Sequence, residues 1–375
     1  MDFEWTEAER TARERVVAIL DADERARIAA TEEADVPALR ESVRRGHRRL
    51  AEAGYWEVAL GPAGDAHTPA RTAMDLELAA ASASHFLGVQ TTRHVAGLVA
   101  GWGSDALRNE WLAPLIAGDR IGALALPDPG GAADGTPVAV AGEGGSWTLT
   151  GRRPFVAHAP IADVLAVFAD AGGRTMIAFL RPDDPGVRIG ERLRLLGLGG
   201  LATAPLDLDG ARVPAERVVG PLDGDAPQSW CRRSRDLGLA IAGVGLMRRA
   251  LDAAKAHAAT HRRGGKPIVA RQEIAFRLAE MTMMTQTAEW LACRAAWMIG
   301  AADPEAGTLV RCAKVFCSES AEKASSGAMQ VLAGQACVAG NDVERAWREA
   351  KAIAMLGTTA EVARMAIAAD LLARH

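Results

Sequence analysis

Hydrophobic periodicity changes twice along this chain, and those two changes constrain its fold more than any single motif does. Residues 1–120 carry helical patterning interrupted by clusters such as Gly61-Pro62. Thr6, with Glu9 three residues on, reads as a capping box opening the first helix. Further helices are predicted over 37–53, 68–84 and 105–117, the last ended by Gly118-Asp119. Over residues 121–228 Gly and Pro become frequent, and the apolar runs shorten to strand length at 147–150, 164–168, 176–180 and 206–208. From 229 to 375 the helical period returns. Met281, Met284, Ala288, Leu291, Ala295 and Met298 recur at spacings of three and four, the stripe of a helix packed in a bundle, so these methionines read as core. The expected architecture is α+β and multi-domain: an N-terminal helical domain (1–120), a middle β-barrel domain (121–228) and a C-terminal four-helix bundle (229–375).

Composition narrows the function classes. At 375 residues and 49% hydrophobic content the chain can bury two or three cores. Its net charge of -4 and pI of 6.1 lack the basic surplus of a nucleic-acid binder. The local cluster Arg44, Arg45, Arg48 and Arg49 is read as the solvated face of an amphipathic helix. No apolar run approaches the ~18 residues that span a bilayer, and Met-Asp-Phe-Glu-Trp at the start has no signal-peptide layout. A cytoplasmic protein without membrane insertion is expected. The five cysteines are odd in number and form no C-x-x-C pair, which points to buried thiols. His257 and His261 share a helix face, but alanine follows His257 where a zincin has glutamate, and no third ligand is evident; no metal is expected.

Local text then points to a family. Residues 109–119 (Asn-Glu-Trp-Leu-Ala-Pro-Leu-Ile-Ala-Gly-Asp), the loop 127–134 (Pro-Asp-Pro-Gly-Gly-Ala-Ala-Asp) and 151–157 (Gly-Arg-Arg-Pro-Phe-Val-Ala) fall in order. So do 209–214, ending Val213-Pro214, then 330–334 (Gln-Val-Leu-Ala-Gly) and 348–351 (Arg-Glu-Ala-Lys). Together they resemble the acyl-CoA dehydrogenase family over nearly the whole chain.

That resemblance implies FAD held between barrel, bundle and a second subunit. The positions it marks for the cofactor are Phe155, which keeps the aromatic covering the ring, Arg262, Gln272, Gln330, Gly334, Thr359 and Glu361. Other positions depart from the pattern. Pro127 replaces a threonine and has neither N–H nor hydroxyl to donate. Ala133 and Ala157 replace hydroxyl residues, and His261 stands where the family has an arginine, with Arg262 adjacent. Gly264 replaces a phenylalanine, and Ala333 and Ala336 replace glycines. The ordinary reading of the retained positions is bundle packing and turn formation. FAD bound weakly and FAD absent both stay open.

The family's reaction removes a proton next to a thioester carbonyl while a hydride leaves the adjacent carbon, so a carboxylate must face the substrate. Its usual place here is Gly357, and the place used by some branches is Arg235; neither residue serves as a base at neutral pH. Asp236 falls where the family has an arginine. It reads either as a relocated base or as the cap of a helix starting near Leu237, with Ser234 as the alternative cap. Glu349 is a further candidate, although its place in the family's motif is usually structural. The expected activity is a flavoprotein oxidoreductase acting on an acyl thioester bound to CoA or an acyl carrier protein. Alternatives are a non-redox enzyme using a vacated cavity, a flavin monooxygenase and a non-catalytic partner subunit. A homodimer or homotetramer paired through the bundle is expected, with Val362, Met365, Ala366, Ala369 and Leu372 on its final helix.

Overall fold

The computed structural model describes residues 5–61, 68–127, 137–142 and 145–373. The first helix, α1 (Glu7–Ile19), begins as its sequence dictates. Thr6 Oγ1 accepts the Glu9 N–H at 3.3 Å, and the Glu9 carboxylate accepts the Thr6 N–H at 2.8 Å. Next come α2 (Ala22–Ala29), α3 (Val36–Glu52) and α4 (Tyr55–Leu60). The single helix expected over 68–84 is two, α5 (Pro69–Ala81) and α6 (Ala83–Trp102). Ser82 divides them: its backbone is extended and its hydroxyl accepts the His85 N–H at 3.1 Å, starting a new helix. The stretch 105–117 likewise divides into α7 (Asp105–Leu107), a π-helical turn (Arg108–Leu112) and α8 (Ala113–Ile116), where Pro114 brings no N–H to the ladder.

Eight strands follow: β1 (Gly122–Ala125), β2 (Val138–Ala141), β3 (Trp147–Val156), β4 (Val164–Asp170), β5 (Thr175–Leu180), β6 (Val187–Ile189), β7 (Ala204–Val213) and β8 (Val218–Leu222). They form one mixed sheet in the order β6-β7-β3-β2-β4-β5-β8, with β1 and β2 parallel to β4 and the other pairs antiparallel. The expected barrel is not closed: among the described residues the end strands β6 and β8 do not pair. The physical reason is visible in β4. Val164, Ala166 and Phe168 join the core shared with the helices, while Leu165, Val167 and Ala169 join a core internal to the sheet. Helices cover one face, so burial does not require the sheet to close on itself.

The arginine cluster of α3 is a solvated face at Arg45 and Arg48 only, while Arg44 joins Arg40 in a clasp. Arg40, Arg44 and Arg120 all donate to Asp163 Oδ1, at 2.7, 2.8 and 3.2 Å, and Asp163 Oδ2 accepts the Ile121 N–H at 2.8 Å. Arg48 pairs with Asp119, and Arg49 with Asp21 and Glu24; among the described residues Arg45 is exposed without such a pair. These bonds tie the N-terminal helices to the sheet.

The C-terminal part consists of α9 (Ala226–Thr260), a hairpin of β9 (Arg262–Arg263) and β10 (Lys266–Pro267), then α10 (Gln272–Gly300), α11 (Ala306–Leu332), α12 (Asp342–Met355) and α13 (Ala360–Leu372). Met281, Ala288, Ala295 and Met298 are buried, so the methionine stripe is core as its spacing implies. A Cβ on Gly245 would lie 2.3 Å from the Ala79 carbonyl carbon, so α9 crosses α5 with the two backbones in contact.

Candidate active site

The stretch 351–364 is not one helix. It bends at residues 356–359, between α12 and α13, and Gly357 adopts the left-handed conformation at φ 67°. Thr359 then caps α13, its hydroxyl accepting the Val362 N–H at 3.5 Å. A side chain on residue 357 would start in occupied space: its Cβ would lie 2.6 Å from Asp236 Oδ1, 2.7 Å from Leu239 Cδ1 and 3.1 Å from Arg235 Nε.

Asp236 therefore lies directly under this turn. The capping reading is corrected, because α9 begins at Ala226 and Asp236 lies well inside it. Its partner is instead the turn: Asp236 Oδ1 accepts the Thr358 N–H at 3.2 Å. Asp236 is only 4% exposed, and Arg235 Nε stands 3.5 Å from the same oxygen. Lys314, fully buried on α11, donates from Nζ to the Ala354 carbonyl at 3.1 Å. Burial lowers the Lys314 pKa, and the neighbouring Asp236 charge works against that shift. Glu361 is exposed in the first turn of α13, where backbone N–H donation and the Thr359 hydroxyl hold its pKa below the usual value. Gly357, Thr358, Thr359, Asp236, Arg235 and Lys314 thus form one connected group.

The other marked residues lie on other elements. Phe155, near the end of β3, is 65% exposed. Arg262 is exposed in the β9–β10 hairpin, where its Nη1 donates to the Gly265 carbonyl at 3.1 Å. Gln272 opens α10, and Gln330 and Gly334 lie at and beyond the end of α11; all three are exposed. A Cβ on Gly334 would meet nothing within 4 Å. Exposed side chains and an open backbone fit a cofactor laid on the surface and covered by a second subunit. Ala333 stands at φ 52°, ψ -133°, a conformation that glycine tolerates and alanine resists. The Pro127 carbonyl accepts from Arg232 at 3.2 and 3.3 Å, so this part of the loop is held through its oxygen. Residues 128–134, including Ala133, lie outside the described residues. His261 stacks on His257 at 4.7 Å between ring centroids, and no metal-binding group occurs among the described residues.

Glu349 is buried, and burial pushes its pKa up to about 7 while Arg249, 3.4 Å away, opposes the shift. Its neighbour Arg348 donates to the Leu196 carbonyl at 2.7 Å and pairs with Glu344, so this motif joins the bundle to the sheet. Sequence reasoning missed Lys314 and Arg232. The signal for Lys314 was available, since a lysine lies between Ala313 and Val315 on a buried stripe.

Comparisons with known proteins bear on the family and the fold. The sequence model described as acyl-CoA dehydrogenase, C-terminal domain, matches residues 234–372. The human mitochondrial short-chain specific acyl-CoA dehydrogenase is 31% identical over 284 residues, covering 74% of this chain and 69% of that protein. Butyryl-CoA dehydrogenase from Megasphaera elsdenii superposes with a TM-score of 0.87 at 24% identity, covering 99% of this chain and 100% of that one. A glutaryl-CoA dehydrogenase from Mycobacterium smegmatis, solved in complex with FADH2, superposes at 0.80 with 24% identity over 94% of this chain and 95% of that one.

Proposed function

The chain belongs to the acyl-CoA dehydrogenase family of flavoprotein oxidoreductases, and we propose that it oxidises an acyl thioester of CoA or a carrier protein using FAD, with Asp236 as base. One observation carries the assignment of the base. Asp236 Oδ1 stands 2.6 Å from where a residue-357 Cβ would begin, so α9 delivers a carboxylate into space that a side chain from the turn would otherwise fill. The Thr358 N–H fixes Oδ1, and Oδ2 is the oxygen left to take the α-proton. Arg235 and the buried Lys314 place positive charge beside this carboxylate.

FAD supplies the hydride acceptor when bound. Phe155, Arg262, Gln272, Gln330, Gly334, Thr359 and Glu361 are the residues assigned to hold it. Each lost neutral hydrogen bond is worth ~0.5–1.5 kcal/mol. Losses at Pro127, Ala133 and Ala157 therefore weaken FAD by about one to three powers of ten relative to a fully furnished site. The test is titration of the purified protein with FAD, followed by flavin fluorescence. The reading expects one saturable site per chain, and no saturation up to high micromolar FAD rejects it. A second reading, a non-redox enzyme on the same fold, draws on one observation: Pro127 offers the cofactor no donor, and its carbonyl is already bound by Arg232.

The protein works as a homodimer or homotetramer in this account. Phe276, Met283, Trp290 and Trp297 recur every seven residues along α10, each 45–68% exposed. Met365 and Leu372 are 73% exposed on α13, where the buried side is only Ala363. A second copy of the chain covers these faces. Five free cysteines suit a reducing compartment, and we place the protein in the cytoplasm.

A further inference from the structure

On its exposed side α10 presents nearly the same face when turned end for end. Phe276 and Trp297, and inside them Met283 and Trp290, are spaced evenly about the peptide joining Gln286 and Thr287. Charge follows the same centre with opposite signs. Glu280 and Arg294, both exposed, stand seven residues on either side of Thr287, one acid and one base. The exposed residues between them, Thr282, Met283, Gln286, Thr287 and Trp290, are all uncharged. Arg277 pairs with Glu273 and Glu289 with Arg248, whereas among the described residues Glu280 and Arg294 pair with no opposite charge. Arg294 lies instead over the Trp297 ring, 4.4 Å from its centroid.

The second observation is a groove of about 730 Å³ between the N-terminal half of α10 and the C-terminal half of α11. Met281, Met283 and Met284 line one side, and Ser326 and Gly327 leave the other without bulk: a Cβ on Gly327 would come no nearer than 3.5 Å to Met281. Of the lining charges, Arg277, Glu319 and Glu322 are engaged within the chain by Glu273, Arg364 and Lys351. Glu280 and Lys323 remain, and Glu280 belongs to the exposed face of α10. A soft, methionine-sided groove with an unpaired carboxylate suits large apolar side chains that arrive beside a cation. Trp290, Arg294 and Trp297 on the same helix are such a set.

A seven-residue repeat of large side chains is the pattern by which one helix packs along another. A parallel copy would set Glu280 against Glu280 and Arg294 against Arg294. An antiparallel copy sets each Glu280 against the partner's Arg294, the partner's Trp290 against Met283 and the partner's Trp297 against Phe276. We propose that α10 pairs antiparallel with α10 of a second copy, about a two-fold axis beside Gln286 and Thr287, with the partner's Trp290 and Trp297 seated in the groove. The pairing rests on the homo-oligomer read above and gives it a helix, a direction and a register.

Sedimentation of the full chain over a dilution series reads the association, and charge exchange tests the register. Glu280→Arg and Arg294→Glu each place like charges together twice across the axis, so each weakens self-association by about tenfold or more. The variant carrying both substitutions restores the pairs with their signs reversed and returns to within about threefold of the wild type. In a Cys337→Ser background, which removes the exposed native thiol, Thr287→Cys forms a disulfide-linked dimer on oxidation with copper phenanthroline. Ala279→Cys does not, because its copy lies roughly 23 Å away in this register. A wild type that stays monomeric at micromolar concentration overturns both the pairing and the homo-oligomer. A wild-type oligomer overturns the pairing alone if neither charge reversal weakens it, if the double variant assembles no better than the single ones, if Thr287→Cys fails to cross-link, or if Ala279→Cys does so.

Discussion

At position 357, where the family resemblance implies a carboxylate, the surroundings suit glycine. The φ of 67° costs a non-glycine residue about 1–2 kcal/mol, and the Cβ would press on Asp236 and Leu239. Gly357→Glu is therefore expected to lower stability by at least about 1–2 kcal/mol in urea unfolding and not to raise activity. A variant as stable as the wild type would show that the turn adapts. Asp236→Asn keeps the shape and removes the basicity, so it should reduce turnover by about 10²–10⁴ while FAD binding is unchanged. The family resemblance marked both Gly357 and Asp236 by register, and the structure places the two side by side. Lys314 and Arg232 were not marked, because their roles depend on Ala354 and Pro127, which are distant in sequence and adjacent only in the fold.

At the scale of elements, strands and bundle helices followed from period and turn residues, and the misreadings trace to identifiable groups. Ser82 caps a second helix inside an apolar run that reads as continuous. The arginines of α3 have amphipathic spacing, but their acceptor, Asp163, is supplied by a strand entry more than a hundred residues away. Burial would raise the Asp163 pKa, yet the Ile121 N–H, Arg44 and Arg40 together lower it. Asp163→Asn should cost about 1.5–3 kcal/mol in urea unfolding, towards the lower figure because Arg40 and Arg120 keep contact with water. No measurable loss would mean that the clasp adds nothing to the seam.

A second seam joins His47 of α3 and His85 of α6 to His158, just beyond β3, around a cavity of about 10 Å³ shared with Arg27, Thr31 and Ser42. Both ring nitrogens of His47 are buried without a hydrogen-bond partner among the described residues. Burial, reinforced by neighbouring positive groups, lowers His85 to about 4, His158 to about 3 and His47 well below its usual value. These imidazoles stay neutral when folded and gain protons near 6.5 when unfolded. Their contribution is therefore present above about 6.5 and lost as pH falls towards 4. Glu349 runs the other way: raised to about 7, it contributes below its unfolded value and loses that contribution as pH rises through 7. Three histidines outweigh one glutamate, so the urea midpoint should fall between pH 7.5 and 5. A flat or rising midpoint would contradict the burial of these imidazoles as neutral groups.

On the scale of the whole molecule, the sequence yielded the three-part order but not the open sheet, since closure depends on whether helices or strands cover each face of β4. It also yielded the expectation of an oligomer paired through the bundle and the final helix, but not the row on α10: the seven-residue spacing of Phe276, Met283, Trp290 and Trp297 becomes meaningful only once those side chains are known to be exposed. Light scattering should give a dimer or tetramer mass at micromolar concentration, and Met283→Glu should shift it towards monomer. A monomer mass for the wild type would reject the second copy as the cover of that face. No single helix among the described residues is long and apolar enough to cross a membrane. The claim on which the rest depends is that a family oxidoreductase persists here with its carboxylate moved from the turn to α9. The direct measurement is anaerobic mixing of the FAD-loaded protein with a short-chain acyl-CoA while the flavin absorbance is followed. The account predicts bleaching in the wild type and none, with FAD still bound, in Asp236→Asn; a flavin that stays oxidised in both proteins, or bleaches equally fast in both, would contradict it.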